Sequence, residues 1–421
     1  MFRHDVPVHA GIHQGARAEM TGTLQKHAGS TGVGAATNSF VGRRELGMKI
    51  AQIAPLMESV PPRLYGGTER IVSYLTEELV RLGHDVTLFA SGDSVTSAKL
   101  VSCVPKALRL DPDVRDSIPY YLLMLDHIGG VADQFDILHF HIDQLHFPMF
   151  RPIAARTVTT VHGRQDHADL NPLYLGFSEM PLVSISDAQR RPVSHANFVA
   201  TVHHGVPVDL HQPIFQPHGG YVAFLGRMSR EKRPDRAIAI ARALGIPLKI
   251  AAKVDRSDEA FFREQIAPML DAPGIEFVGE INEQQKTAFL GEALALLFPI
   301  DWPEPFGLSM IEAMACGTPV LAFRCGSVPE IVEDDITGVV VDTMEDAIAA
   351  LPRVIGIDRQ KVRRRFEQRF SGARMAKDYI AVYQVLLRSP KRVDGVEADD
   401  KPRRPPLPEE VSPNVSRIYV A

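Results

Sequence analysis

The sequence predicts an α/β protein of two doubly wound, Rossmann-like domains that face each other across a cleft. Three observations lead there. Short runs rich in β-branched and aromatic residues alternate with windows of helical period, the pattern of a parallel sheet with right-handed crossovers. The alternation pauses at a Pro-bearing segment, Val206–Pro217, and restarts at Tyr221. Each series opens with a strand that runs into a glycine-bearing loop, Gly66 and Gly67 in the first and Gly226 in the second.

In chain order, the first series reads as strands at Lys49–Ala54, Val86–Ala90, Ile137–Phe140, Thr157–Val161, Leu182–Ile185 and Phe198–Val202. After the first of them, Ile71, Leu75, Leu79 and Leu82 recur at helical spacing over Thr68–Leu82, and Gly83 ends that helix. The second series reads as strands at Tyr221–Gly226, Leu248–Ala252, Ile275–Val278, Ala295–Phe298, Pro319–Phe323 and Gly338–Val341. A last helical window, Arg374–Leu387, follows. The expected organisation is an N-terminal domain over 48–212, a C-terminal domain over 213–372, and a helix over 373–389 that crosses back to the first domain. Residues 1–47 lack periodicity and read as a disordered extension, with Met48 as an alternative start; 390–421 is Pro-rich and charged and reads as a disordered tail. Ligands of open α/β sheets bind beyond the C-terminal strand edges, so the cleft between the domains is the expected site.

Composition narrows the function. The chain has 421 residues, enough for two domains, and 45% of them are hydrophobic, as in ordinary soluble proteins. A net charge of -5 does not suggest nucleic acid as a partner. The longest apolar run, Ala293–Ile300, is too short to span a bilayer, and residues 1–47 hold no signal-peptide core. Cys103, Cys316 and Cys325 cannot all pair, which fits a reduced cytoplasmic protein.

Three motifs carry chemistry. Tyr65, Gly66, Gly67, Thr68 and Glu69 lie between the first strand and its helix. Paired glycines let backbone approach a phosphate at a helix N-terminus, and Thr68 is placed to cap that helix; a plain tight turn has the same residues. Arg227 and Lys232 follow the first strand of the second domain and can converge on a diphosphate, Arg as a planar fork and Lys as a point charge. The alternative is a solvated basic loop. Glu304 stands in a Pro- and Gly-bearing turn, and Glu312 lies two turns into the apolar helix Leu308–Cys316. That puts the acids roughly 12 Å apart along the axis at 1.5 Å per residue. An anion on the free N–H groups at the helix mouth would then have a carboxylate on each side to accept from hydroxyls. A nucleotide sugar has that shape. Among apolar neighbours Glu312 needs a partner, and a ribose would be one.

Together, Gly226, Arg227, Glu231, Lys232 and the run from Glu304 through Phe306, Gly307 and Glu312 to Val320 resemble the retaining glycosyltransferases of family 4, with the GT-B fold. The resemblance runs from Met48 to about Ser389, and Gly326–Glu330 with Gly338 extend it. It implies transfer of a hexosyl unit from a nucleoside diphosphate sugar to an acceptor hydroxyl. It assigns the diphosphate to Arg227 and Lys232, the donor sugar to Glu304, and the ribose to Glu312. Backbone at Phe306, Gly307 and Leu308 would meet the sugar phosphate, and Gly66 and Gly67 would approach from the other domain. His162, after a predicted strand, matches the family's histidine near the transferred sugar. Ser184–Asp187 is a looser match to a polar loop at the site, and His204 stands where the family often has Asn, so no role transfers to it. The resemblance also implies no metal and no other cofactor. Because family members often use lipid-linked acceptors, it leaves room for a peripheral membrane contact.

Other features have plainer readings. His139, His141, Asp143 and His146 invite a metal, but a structural or acceptor-facing role is the simpler expectation. Lys361, Arg363, Arg364, Arg365 and Arg369 read as a solvated helix face. The loop Phe277–Glu280 is expected to meet the base, and the loops 93–130 and 141–177 the acceptor, whose identity stays open. A non-catalytic nucleotide-sugar binder and a GT-B sugar-nucleotide epimerase remain alternatives.

Overall fold

The computed structural model describes residues 47–64 and 66–388. The terminal segments expected to be disordered lie outside the described residues, apart from Gly47, as does Tyr65 of the glycine motif.

The first sheet has seven parallel strands: β1 (Lys49–Ile53), β2 (Asp85–Ser91), β3 (Lys99–Val104), β4 (Ile137–Phe140), β5 (Thr157–Thr160), β6 (Leu182–Ser184) and β7 (Phe198–Thr201), in the order β3-β2-β1-β4-β5-β6-β7. The second has six: β8 (Val222–Arg227), β9 (Leu248–Lys253), β10 (Ile275–Gly279), β11 (Leu296–Phe298), β12 (Val320–Phe323) and β13 (Gly338–Val341), ordered β10-β9-β8-β11-β12-β13 and also parallel. Central strands such as β4, β5, β11 and β12 are buried throughout, and apart from His139 in β4 they read as apolar or Thr/Val runs. The edge strand β3 was not expected. It lies at the sheet margin with most side chains partly or fully exposed, and its Lys-Leu-Val-Ser-Cys-Val sequence gives no strong alternation. With the helix Ile118–Val131, it occupies part of the stretch 93–130 expected to be loop.

In each sheet the order reverses beside the first strand, between β1 and β4 and between β8 and β11. Those reversal points open the crevice in which such sheets bind ligands. After β1 comes helix α1 (Gly67–Arg81), which buries Ile71, Val72, Leu75 and Leu79 against the sheet. Its N-cap is Gly66, with no side-chain cap, so Thr68 does not cap it as expected. After β10 comes α2 (Glu283–Gly291), capped reciprocally by Asn282 and Gln285. After β11 comes α3 (Leu308–Ala315).

Two C-terminal helices tie the halves together. The basic helix α4 (Arg359–Arg369) is not a solvated face. Arg363 is 9% exposed and donates to the carbonyls of Val208, His211 and Ala315. Arg359 donates to those of Ile214, Gly291 and Ala293. Arg365 and Arg369 bind Glu333, which leaves Lys361 and Arg364 as the exposed members of the run. The Pro-bearing segment is therefore pinned carbonyl by carbonyl. The reason is physical: irregular buried backbone leaves acceptors that need donors, and a guanidinium supplies five. Helix α5 (Gly372–Arg388) then packs on α1 and sends Tyr379 and Tyr383, both 0% exposed, to β1, β4 and β5. Among the described residues, no helix is long and apolar enough to cross a membrane.

Candidate active site

The ten residues to which the family resemblance assigns a role line one cavity of about 890 Å³. It lies where the strand order reverses in both sheets, with Gly66, Gly67 and His162 on the first domain and Arg227, Lys232, Glu304, Phe306, Gly307, Leu308 and Glu312 on the second.

Two helix N-termini meet there. A Cβ on Gly67 would stand 3.5 Å from Leu308 Cδ1, so the starts of α1 and α3 face each other across the cleft. Neither N-cap residue supplies a side-chain cap, although in the first turn of α1 the buried Glu69 carboxylate takes its own backbone N–H. Gly307, the N-cap of α3, has φ +83°, and a Cβ there would fall 2.5 Å from Met310 Cε. The positive φ makes any side chain strained in that turn, which favours glycine.

The second-domain wall is charged, and its charges are paired. Lys232 Nζ binds Glu304 Oε2, which also accepts from Trp302 Nε1 at 3.0 Å. Arg227 reaches Glu231 at 3.1 Å and Asp258 at 3.5 Å. Glu312, 3% exposed, does not wait for a ligand to partner it: Lys286 Nζ stands 2.7 Å from its Oε1. Lys286 also lies 3.3 Å from Glu283, which binds Arg70 of α1 across the cleft. Burial alone would raise the Glu283 carboxyl, but His211, Lys286 and Arg70 together hold it below its ordinary range. Among the described residues His211, Glu283 and Glu312 form the one cluster with metal-ligand spacing. Two cations already neutralise its carboxylates, so the chemistry of that donor set does not ask for a third.

The first-domain wall around His162 is neutral. His141 Nδ1 lies 2.9 Å from His162 Nε2, and the His162 ring stacks on His204 at 5.3 Å between centroids. His204 in turn meets the Phe306 ring edge-on. His139 binds Tyr383 and Thr160, and His146 binds Thr159 while stacking on Phe140. His139, His141, His146 and His162 are hydrogen-bonded and His204 joins them through ring contacts, and among the described residues they form no cluster with metal-ligand spacing. Burial pushes His162 and His146 down to about 3, and His139, His141 and His204 well below 6.5.

One expected loop is not brought in. Ser186 caps the short helix Asp187–Arg190 and Ser184 faces Thr201, so of that loop only Ile185 lines the cavity. The same helix start instead clasps the other domain: Glu330 accepts from Asp187 N at 2.7 Å and Ala188 N at 2.6 Å. Sequence reasoning missed Lys286, Arg70 and Gln52, while His141, expected to be structural or acceptor-facing, lines the cavity. For Lys286 a signal existed, since a buried Glu312 demands a partner. For the others, the contact depends on chain crossovers that no local pattern encodes.

Comparison with known proteins agrees with this architecture. Residues 212–369 match the family described as Glycosyl transferases group 1, and residues 65–183 match Glycosyltransferase Family 4. The MMP alpha-(1->4)-mannosyltransferase of Mycolicibacterium hassiacum is 25% identical over 403 residues, covering 76% of this chain and 94% of that one. A D-inositol 3-phosphate glycosyltransferase of Mycobacterium marinum is 32% identical over 157 residues, and the match spans 34% of each chain, about a third of that relative's length. Among solved structures, AviGT4, a glycosyltransferase involved in avilamycin A biosynthesis, superposes with a TM-score of 0.64 at 24% identity, over 81% of this chain and 98% of that one. At that identity the likeness speaks for the fold alone.

Proposed function

The chain belongs to the family 4 glycosyltransferases, with the GT-B fold, and we propose that it moves a hexosyl unit from a nucleoside diphosphate sugar to an acceptor hydroxyl with retention at the anomeric carbon. The observation that carries this reading is the convergence of two uncapped helix N-termini with Arg227 and Lys232, between Glu304 and Glu312. A diphosphate there would take N–H groups from both helices and charge from both cations. Glu304 then lies on the sugar side and Glu312 on the ribose side. Glu280 and Ile281, after β10, border the same cavity and suit the base.

Chemistry follows from the placement of charge. As the bond from the anomeric carbon to the phosphate oxygen breaks, negative charge grows on the diphosphate. Arg227, Lys232 and the helix ends stabilise it more in the transition state than in the ground state. Lys232 has three N–H donors, so it can keep Glu304 in place while it reaches a phosphate oxygen. Glu304 is engaged by Lys232 and Trp302 and suits hydroxyl recognition rather than attack on carbon. The acceptor oxygen therefore bonds to the anomeric carbon on the face the phosphate leaves, and its proton passes to the departing phosphate oxygen. The cations and helix ends take the part a divalent metal would play, so transfer should be unchanged in a chelator.

The mannosyltransferase relative places mannose among the hexoses to test first. A panel of nucleoside diphosphate hexoses read by thermal shift should single out one donor, because bound ligand raises stability by RT ln(1 + [L]/Kd). The anomeric configuration of the product, read by NMR against the donor, then tests retention. An inverted product contradicts the same-face route, and sugar isomerisation without an acceptor would replace transfer with epimerisation.

A further inference from the structure

We infer that Gln52 and His141 fix the tautomer of His162, so that its Nδ1 meets the bound sugar as a hydrogen-bond acceptor; they are positioning residues for transfer. This rests on the reading of the cavity as a glycosyl-transfer site. Each step follows from counting protons. A neutral imidazole carries one N–H. His141 Nε2 stands 2.8 Å from Gln52 Oε1, an oxygen that can only accept, so His141 holds its proton there. Its Nδ1 is then bare and must accept. The atom facing it at 2.9 Å is His162 Nε2, which therefore carries the hydrogen of that ring. That leaves His162 Nδ1 as a lone pair without a partner among the described residues, on a side chain that lines the cavity. A lone pair suits a sugar hydroxyl and repels a phosphate oxygen. It separates the sugar end of the ligand from the diphosphate end.

The row of hydrogen bonds continues beyond Gln52. Its Nε2 donates to Tyr383 OH at 3.2 Å, and Tyr383 OH donates to His139 Nδ1 at 2.7 Å. His139 Nε2 then donates to Thr160 Oγ1 at 2.7 Å. Reversing the Gln52 amide would set its NH2 against His141 Nε2 and force every proton in the row to move. The C-terminal helix α5, through Tyr383, thus reaches the reacting end of the cavity. Burial keeps His141 and His162 uncharged near neutral pH, which preserves the one-proton count.

Nitrogen-15 NMR of the histidine-labelled full chain tests this directly, with His162 assigned by its loss in a His162→Gln variant. Wild type should show a protonated Nε2 and a bare Nδ1 at His162. Gln52→Leu removes the acceptor for His141, and His141→Leu removes the acceptor for His162. Both should shift the His162 signals toward the other tautomer and lower kcat by up to about 100-fold with donor KM little changed. His141→Asn, which sets a carbonyl oxygen near the place of Nδ1, should recover the tautomer and most of the rate lost in His141→Leu. A wild-type His162 protonated at Nδ1, or a tautomer indifferent to both Leu variants, overturns the inference. If the tautomer responds as described while wild type transfers no sugar, the relay stands and the reading of the reaction falls.

Discussion

The two walls of the cavity solve the cost of burying polarity in opposite ways. The second-domain wall stores full charges as pairs: Lys232 with Glu304, Lys286 with Glu312, Arg227 with Glu231. The first-domain wall around His162 keeps its imidazoles neutral and threads them through Gln52, Thr160 and Tyr383. An isolated buried charge is expensive, so a site that must meet a diphosphate holds its cations against carboxylates until the ligand enters. A site that must meet hydroxyls needs direction rather than charge. On the proposed reading, the contrast teaches that the paired charges gather about the diphosphate, with Glu304 on their sugar side, and that neutral hydrogen bonding marks the rest of the sugar end.

The largest effect should come from the charged wall. Lys232→Ala removes one of two cations expected at the leaving phosphate. Loss of a preorganised group of that kind costs about 100- to 1000-fold in kcat. Circular dichroism should show the chain still folded. Near wild-type turnover would break the assignment of charge to chemistry.

Next is Lys286→Met, which leaves Glu312 buried without its ion-pair partner. Breaking a buried pair on one side costs about 3 kcal/mol of stability. Adding Glu312→Gln to it should restore most of the stability but not the donor affinity, because the ribose contact would still be altered. A double-mutant cycle on urea unfolding and donor binding separates the two. Recovery of both would make Glu312 a structural residue only.

Acid should expose the neutral wall before the charged one. His139, His141, His146, His162 and His204 are all pushed below the ordinary 6.5 by burial. Below pH 6.5 the unfolded chain takes up protons that the folded one refuses, so stability falls, by up to about 1.4 kcal/mol per pH unit for each imidazole. For His162 and His146 the loss continues down to about pH 3. Glu283 has the opposite origin: its carboxyl is depressed, so its contribution is intact above 4.5 and fades only as the pH drops further. Between pH 6.5 and 4.5 amide exchange should therefore accelerate in the first domain first. Burial raises the Glu58, Glu69 and Asp143 carboxyls and works in the opposite direction, so a flat profile that persists when these are replaced by their amides would mean that the imidazoles are not held neutral.

The same contrast explains what the sequence made legible. Both strand series, and the residues of the charged wall apart from Lys286, sit in short local patterns: a strand end, a glycine turn, an acid at the mouth of a helix. Arg227, Lys232, Glu304 and Glu312 could be chosen because a cation or a buried acid needs a reason to be there. The neutral wall has no such signature. Gln52 looks like any polar residue in a strand, and its partner Tyr383 lies on a helix beyond the second domain. The basic run in α4 misled for a related reason, since its acceptors are backbone carbonyls of the connecting segment and carry no side-chain signal. The edge strand β3 was hidden because half-exposed strands lose the apolar continuity of central ones.

The smallest effect is expected where the two walls touch. Arg70 of α1 binds Glu283 of α2, and donates to Leu64 O at 2.7 Å. Glu283 keeps His211 and Lys286 if Arg70 is lost, so neither carboxylate of that cluster is stranded. Arg70→Met should therefore remove a strut between the domains without unfolding either. Because Glu283 keeps two partners, losing this buried pair should cost less than stranding a carboxylate, about 1 kcal/mol or roughly fivefold in donor KM, with kcat nearly unchanged. Small-angle scattering should show the free chain more open than wild type, and the difference should vanish with saturating donor. A fall in kcat comparable to that of Lys232→Ala would place Arg70 in the reaction itself and erase the proposed boundary between a charged wall for chemistry and a neutral one for positioning the sugar.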